Sequence, residues 1–233
     1  MRPDREALRE VAEKTVVIRP PRQHLATFGV TTVDYYLVTS PSYQDPDERP
    51  TETVVREGQL NVQRPQIVTP FYLLNLFQGF EHGAAYAEYL AETHGAQSPG
   101  LLYSYRHDLR DTNVVSDPPD TVVRRIVGML DDEGKALAAV VFGVDHLWDV
   151  SLMKFAFDLT VGSVGQNVQE MASRGLFQMR HGVPQAGHVR IAELFDGVRA
   201  GEVAPSDLKA EIDRWGLWDE YQDRFFDLFR KRG

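Results

Sequence analysis

Residues 136–161 read ALAAVVFGVDHLWDVSLMKFAFDLTV, and the way this stretch folds decides how the rest of the chain is arranged. Set on a helix, Leu137, Val141, Val144, Trp148, Leu152, Phe155 and Leu159 recur at steps of four and three and form one apolar stripe. Phe142, Val150, Met153 and Phe157 lie well round from that stripe. The spacing therefore predicts a central helix over 136–161, covered on more than one side. Through its middle run Asp145, His146, Asp149, Lys154 and Asp158. Charge buried without a partner is costly, so a buried helix of this kind needs specific partners for them.

On the N-terminal side, residues 4–14 read as a short polar helix. The segments 15–19 (TVVIR) and 31–39 (TTVDYYLVT) have the β-branched and aromatic content of strands. Residues 40–50 are a proline-punctuated loop, 51–62 read as a hairpin turning near Glu57-Gly58, and 66–69 as one more extended piece. A helix is predicted over 71–95, with Thr69 as its N-cap, Pro70 in its first position, Gly79 and Gly83 interrupting it and Gly95 as its stop. Residues 101–105 read as a strand, 106–120 as a loop and 120–131 as a helix. The alternative for that last segment is a hairpin around Asp131–Gly134 that pairs 125–130 with 135–141. Further helices are expected from 167 to the Gly175 stop, over 188–201, over 205–215 behind a Ser206 cap, and over 217–232.

The fold class expected is α+β, in one domain over 1–233. A small N-terminal antiparallel β-sheet (1–69) is followed by a predominantly helical remainder (70–233) packed around the central buried helix 136–161.

Composition narrows the function classes. The chain has 233 residues, 42% hydrophobic and 25% charged, as in an ordinary soluble globular protein. A net charge of −9 offers no basic surplus for duplex phosphates, so no nucleic-acid partner is expected. With no cysteine there are no disulfides, thiolate nucleophiles or Cys-based metal sites. No long uncharged apolar run exists and the charged N-terminus has no apolar core, so we expect neither a membrane span nor a secretory signal, and we place the protein in the cytoplasm. Glycine-rich phosphate loops, nucleophile elbows and His-Glu-x-x-His helices are missing from the sequence, and no cofactor or metal is expected.

Three places carry candidate chemistry. Asp145 and Asp149 stand four apart, so on one helix their carboxylates would share a face and require an Arg, a cation or a proton between them; Arg is the partner expected. Lys154 and Asp158 have the same spacing and read as an ion pair. The run RHDLRD (106–111) packs two Arg, one His and two Asp into what reads as a loop. There His107 is a candidate general base with Asp108 beside it, and Arg106 and Arg110 are candidate substrate-binding cations. Near the C-terminus, Trp215, Trp218, Tyr221, Phe225 and Phe229 form an aromatic concentration of the kind found at interfaces.

Two functions follow as expectations. The first is action through protein–protein contacts, with self-association into a homo-oligomer through those C-terminal aromatic residues. The alternative is a small-molecule-binding protein or hydrolytic enzyme, whose polar cleft lies between the 106–111 loop and the 145–158 helix face. The alternative predicts His107 in one pocket with Asp145 or Asp149.

Overall fold

The computed structural model describes residues 5–44, 50–76 and 83–230. Its helices are α1 (Arg5–Lys14), α2 (Pro70–Leu76), α3 (Gly83–His94), α4 (Pro119–Asp132), α5 (Trp148–Ser173), α6 (Gln185–Ala200), α7 (Pro205–Arg214) and α8 (Trp218–Arg230). Its strands are β1 (Val16–Arg19), β2 (Thr31–Ser40), β3 (Thr53–Val62), β4 (Gln66–Val68), β5 (Gly100–Leu102), β6 (Tyr105–Val115), β7 (Ala138–Val144), β8 (Met179–Arg180) and β9 (Val183–Pro184). The class is α+β. The chain divides into two compact units, residues 1–64 with 103–168 and residues 65–102 with 169–233.

The first unit is built on a five-stranded sheet of order β1-β7-β2-β3-β6. Two of these strands come from the predominantly helical part expected over 70–233, β6 from a segment read as loop and β7 from one read as helix, and β7 runs parallel to β2 while the other pairings are antiparallel. The sheet is therefore mixed and not confined to the N-terminal residues. The expected helix over 136–161 is a strand, a 3₁₀ turn at Asp145–Leu147 and then a helix. The physical reason is burial on both faces. Ala138, Ala139, Val140 and Val141 are all sealed from solvent, and a strand covered on two sides is an apolar run whose periodicity mimics that of a buried helix. The β-branched residues at 140, 141 and 144 favour the strand.

Each face of the sheet has its own helix. On one face α4 packs Val122, Ile126 and Leu130 against Val38, Ala138 and Val140. On the other, α5 packs Leu152, Phe155 and Ala156 against Tyr35, Leu37, Leu60 and Val141. Polar pins fix α5 in this position. Ser151 Oγ accepts from the Val144 amide (3.1 Å), and Ser163 Oγ accepts from the Leu25 amide (3.0 Å). The Asn167 amide group donates to Leu25 O (2.9 Å) and Thr27 Oγ1 (2.8 Å) while its oxygen accepts from the Tyr103 hydroxyl (2.7 Å). Ser151, Ser163 and Asn167 are fully buried, and their hydrogen bonds are what makes that burial tolerable.

Residues 51–62 do not turn at Glu57-Gly58. They run on as β3, and Gly58 serves close approach instead of a turn: a Cβ there would lie 2.4 Å from Tyr35 Oη and 2.5 Å from the Asp108 carbonyl oxygen. The register against β6 shifts at this point, with Glu57 opposite Asp111 and Gly58 opposite Leu109, so that Arg110 is the extra residue of a bulge.

In the second unit, α2 begins as expected, with Pro70 in its first turn and the Tyr72 amide donating to Thr69 Oγ1 at 3.3 Å. Residues 77–82, within the helix expected over 71–95, lie outside the described residues, as do 45–49 of the 40–50 loop. Helix α6 ends at Gly201 in the left-handed conformation, φ +79°. Helix α7 has Ala204 at its N-cap, with no side-chain cap, because Pro205 takes the first position and moves Ser206 inside the helix. The core joins Tyr72, Phe195, Ile212, Trp215 and Phe225. At its centre the Glu211 carboxylate accepts hydrogen bonds from the Tyr72 hydroxyl (3.1 Å), Trp215 Nε1 (3.0 Å) and Arg214 (3.2 Å). Burial and the Glu211 charge push the Tyr72 hydroxyl up to about 12.

Candidate functional site

Residues 106–111 are not a loop but the middle of β6, an edge strand. Their charges are what an edge strand carries to resist pairing with other chains, and this is why the segment reads as a solvated loop in sequence. Being a strand, it sends neighbouring side chains to opposite faces. Arg106 and Asp108 hold each other at 3.2 Å, and Asp108 also accepts from Asn61 at 3.2 Å. Arg110 lies 3.8 Å from Asp34, which accepts from Gln59 at 2.8 Å. His107 pairs in register with Leu60, on the face where Leu60 packs with α5. The expected constellation is thus split by strand geometry, with Arg106, Asp108 and Arg110 on one face and His107 on the other.

Asp145 and Asp149 are separated for a different reason: Asp145 sits in the 3₁₀ turn ahead of α5 and Asp149 in its first turn. Asp145 does have an Arg partner. Its Oδ1 accepts from Arg56 Nη2 (2.8 Å) and Thr39 Oγ1 (3.0 Å), and its Oδ2 from the Ser42 amide (3.0 Å). Both charged side chains are only 13% exposed. Burial pushes the Asp145 carboxyl up, but Arg56, the Ser42 amide and Thr39 all bind its charged form, and together they hold it below the ordinary carboxylate value. The Arg56 guanidinium also lies over the Trp148 ring, 5.3 Å from its centroid, and His107 meets that ring edge-on at 6.1 Å. Lys154 and Asp158 are paired as expected.

Between β6 and α5 lies a groove of about 470 Å³, lined by Leu60, Tyr105, His107, Asp149, Leu152, Met153, Ala156, Phe157 and Thr160. Its volume is in the range of small-molecule sites, about 300–1,000 Å³. His107 and Asp149 are its two ionisable groups besides the Tyr105 phenol. Neither has a hydrogen bond or ion pair among the described residues. At one end the Tyr105 hydroxyl bonds to Thr160, whose own hydroxyl donates to Ala156 O at 2.7 Å. Burial raises the Tyr105 phenol, partly offset by that bond to Thr160. Met153 and Phe157 form the outer wall and are 60% and 65% exposed.

The α5 side of the wall shows in the sequence as the apolar Leu152, Met153 and Phe157; the β6 side shows as the alternation of Tyr105, His107 and Leu109, which appears only once 105–115 is read as a strand. Among the described residues no group of three or more His, Asp or Glu side chains is placed to hold a metal ion. None of the described helices is long and apolar enough to cross a membrane.

The C-terminal aromatic residues are engaged mostly within their own unit. Trp215 is buried against Tyr72 with ring centroids 4.5 Å apart, and Phe225 is buried in the same core. Tyr221 Oη lies 3.0 Å from His188 Nδ1, and Trp218 packs edge-on against Phe225 at 5.4 Å. Phe229 is 54% exposed and its neighbour Phe226 50%. No family model, curated protein or solved structure matches this chain.

Proposed function

We propose that this protein binds a small, mainly apolar molecule in the groove between β6 and α5. One observation carries the reading: His107 and Asp149, both exposed and without a hydrogen bond or ion pair among the described residues, line the same apolar groove, whereas Asp145, Asp158, Asp108 and Asp34 are all paired. A groove of apolar surface with a few convergent polar groups is the usual form of a ligand site. Binding is favoured over hydrolysis because His107 and Asp149 share no hydrogen bond or ion pair, so neither orients the other as a general base is oriented. The experiment is a fluorescence titration with Nile red, an uncharged apolar dye. Saturable one-to-one binding is expected, weakened at least about tenfold by Phe157→Asp, which charges the apolar wall without disturbing a buried residue. Equal binding by the variant would remove this reading.

Self-association is the second reading, and it rests on exposed apolar surface. Phe226 and Phe229 on α8 present half or more of their surface to solvent. Trp215, Trp218, Tyr221 and Phe225 contribute less to such an interface, because they already pack in their own core. Sedimentation analysis of wild type and Phe229→Ser tests this: a concentration-dependent dimer lost in the variant supports the reading, and a monomer throughout contradicts it.

A further inference from the structure

The chemistry of the groove narrows its ligand further, granted the binding reading above. Asp149 carries the only carboxylate in the lining, and no cation of the chain neutralises it among the described residues. The nearest candidate on its own helix, Lys154, is committed to Asp158 one turn further on. Arg56 is committed to Asp145. Beyond Asp149 the wall includes a thioether and two aromatic rings, Met153, Phe157 and Tyr105, beside the aliphatic Leu60 and Leu152. A carboxylate at the mouth of an aromatic wall is complementary to a protonated amine: the ammonium donates a charge-assisted hydrogen bond to the carboxylate and is attracted to ring faces, while the rest of the molecule covers apolar surface. An anionic ligand would meet Asp149 with like charge and find no Arg or Lys among the lining residues.

From this we infer that the groove takes a hydrophobic primary amine, its ammonium group on the Asp149 carboxylate and its apolar body against Met153, Phe157 and Leu60. His107 faces the same space and offers a ring nitrogen to a second polar atom of the ligand.

Three probes of matched shape test the inference by isothermal titration: 2-phenylethylamine, 2-phenylethanol and phenylacetate. The amine is expected to bind about two- to fivefold tighter than the alcohol, the worth of an ion pair at an exposed carboxylate, and phenylacetate most weakly. In Asp149→Asn the amine and the alcohol should bind alike. In Phe157→Ala all three should weaken together, since that change removes wall and not charge. Alcohol binding as tight as amine binding in the unmodified protein would overturn the amine inference and leave the groove standing. Binding of none of the three would remove the groove reading and the amine with it.

Discussion

One sheet presents two faces of opposite character around its β3–β6 edge. On the α4 side the polar groups satisfy one another: Arg106 with Asp108 and Asn61, Arg110 with Asp34 and Gln59, and Tyr36 with Glu57 at 3.2 Å. On the α5 side the surface is largely apolar and its two ionisable side chains, His107 and Asp149, are left without such partners. Charge density in sequence is highest for the first face, and chemical opportunity lies on the second. A saturated network is a finished solvated surface, whereas His107 and Asp149 are exposed, solvated groups beside an apolar wall, without a hydrogen bond or ion pair among the described residues and open to a ligand that replaces the water.

The contrast sets an order for substitutions. The largest effect belongs to the nearly buried pair that fastens the end of the α5 side. Arg56→Ala strands the Asp145 charge and should cost about 3 kcal/mol in urea denaturation. Asn167→Ala removes three hydrogen bonds from a fully buried pin of α5 and should cost about 2 kcal/mol. It should also weaken Nile red binding, because the groove depends on where α5 lies. On the α4 side, Arg106→Ala breaks a pair whose arginine is 79% exposed, and a loss below about 0.5 kcal/mol is expected. A cost for Arg106→Ala equal to that of Arg56→Ala would erase the distinction between the faces.

Acid titration adds a pH signature to the first of these. The Asp145 carboxyl is held below its ordinary value in the folded protein, so the stability it confers is fully present above the unfolded value, about 3.9. It drains away as pH falls through the lowered folded value. Asp145→Asn should flatten that part of the acid limb of a stability–pH curve measured by urea unfolding. An acid limb identical to that of wild type would show that the Arg56 pairing contributes nothing to it.

Much of the local structure was legible in the sequence. The strands at 16–19 and 31–40, helix α4, and the Thr69–Pro70 start of α2 follow from β-branched content, periodicity and capping chemistry. Two features were hidden, for different reasons. Strand β7 is covered on both faces, so it carries no alternation to tell it from a buried helix. Strand β6 is exposed along nearly its whole length, so its alternation is written in charges and not in apolar residues. The candidate site spans both segments: His107 and Asp149 line one groove, whereas Arg106, Arg110 and Asp145 group with them only on the spacings of a loop and a helix. Gly58 has the sequence look of a turn residue, and its role in the strand is to leave room for the Tyr35 ring and the Asp108 carbonyl.

The most direct test of the account is a ¹H–¹⁵N chemical-shift map recorded during titration with 2-phenylethylamine. The account expects saturable shifts at Leu60, Tyr105, His107 and along 149–160, with Asp34, Gln59 and Arg110 of the other face unmoved. Saturable shifts centred on that other face, or on α8, would contradict it.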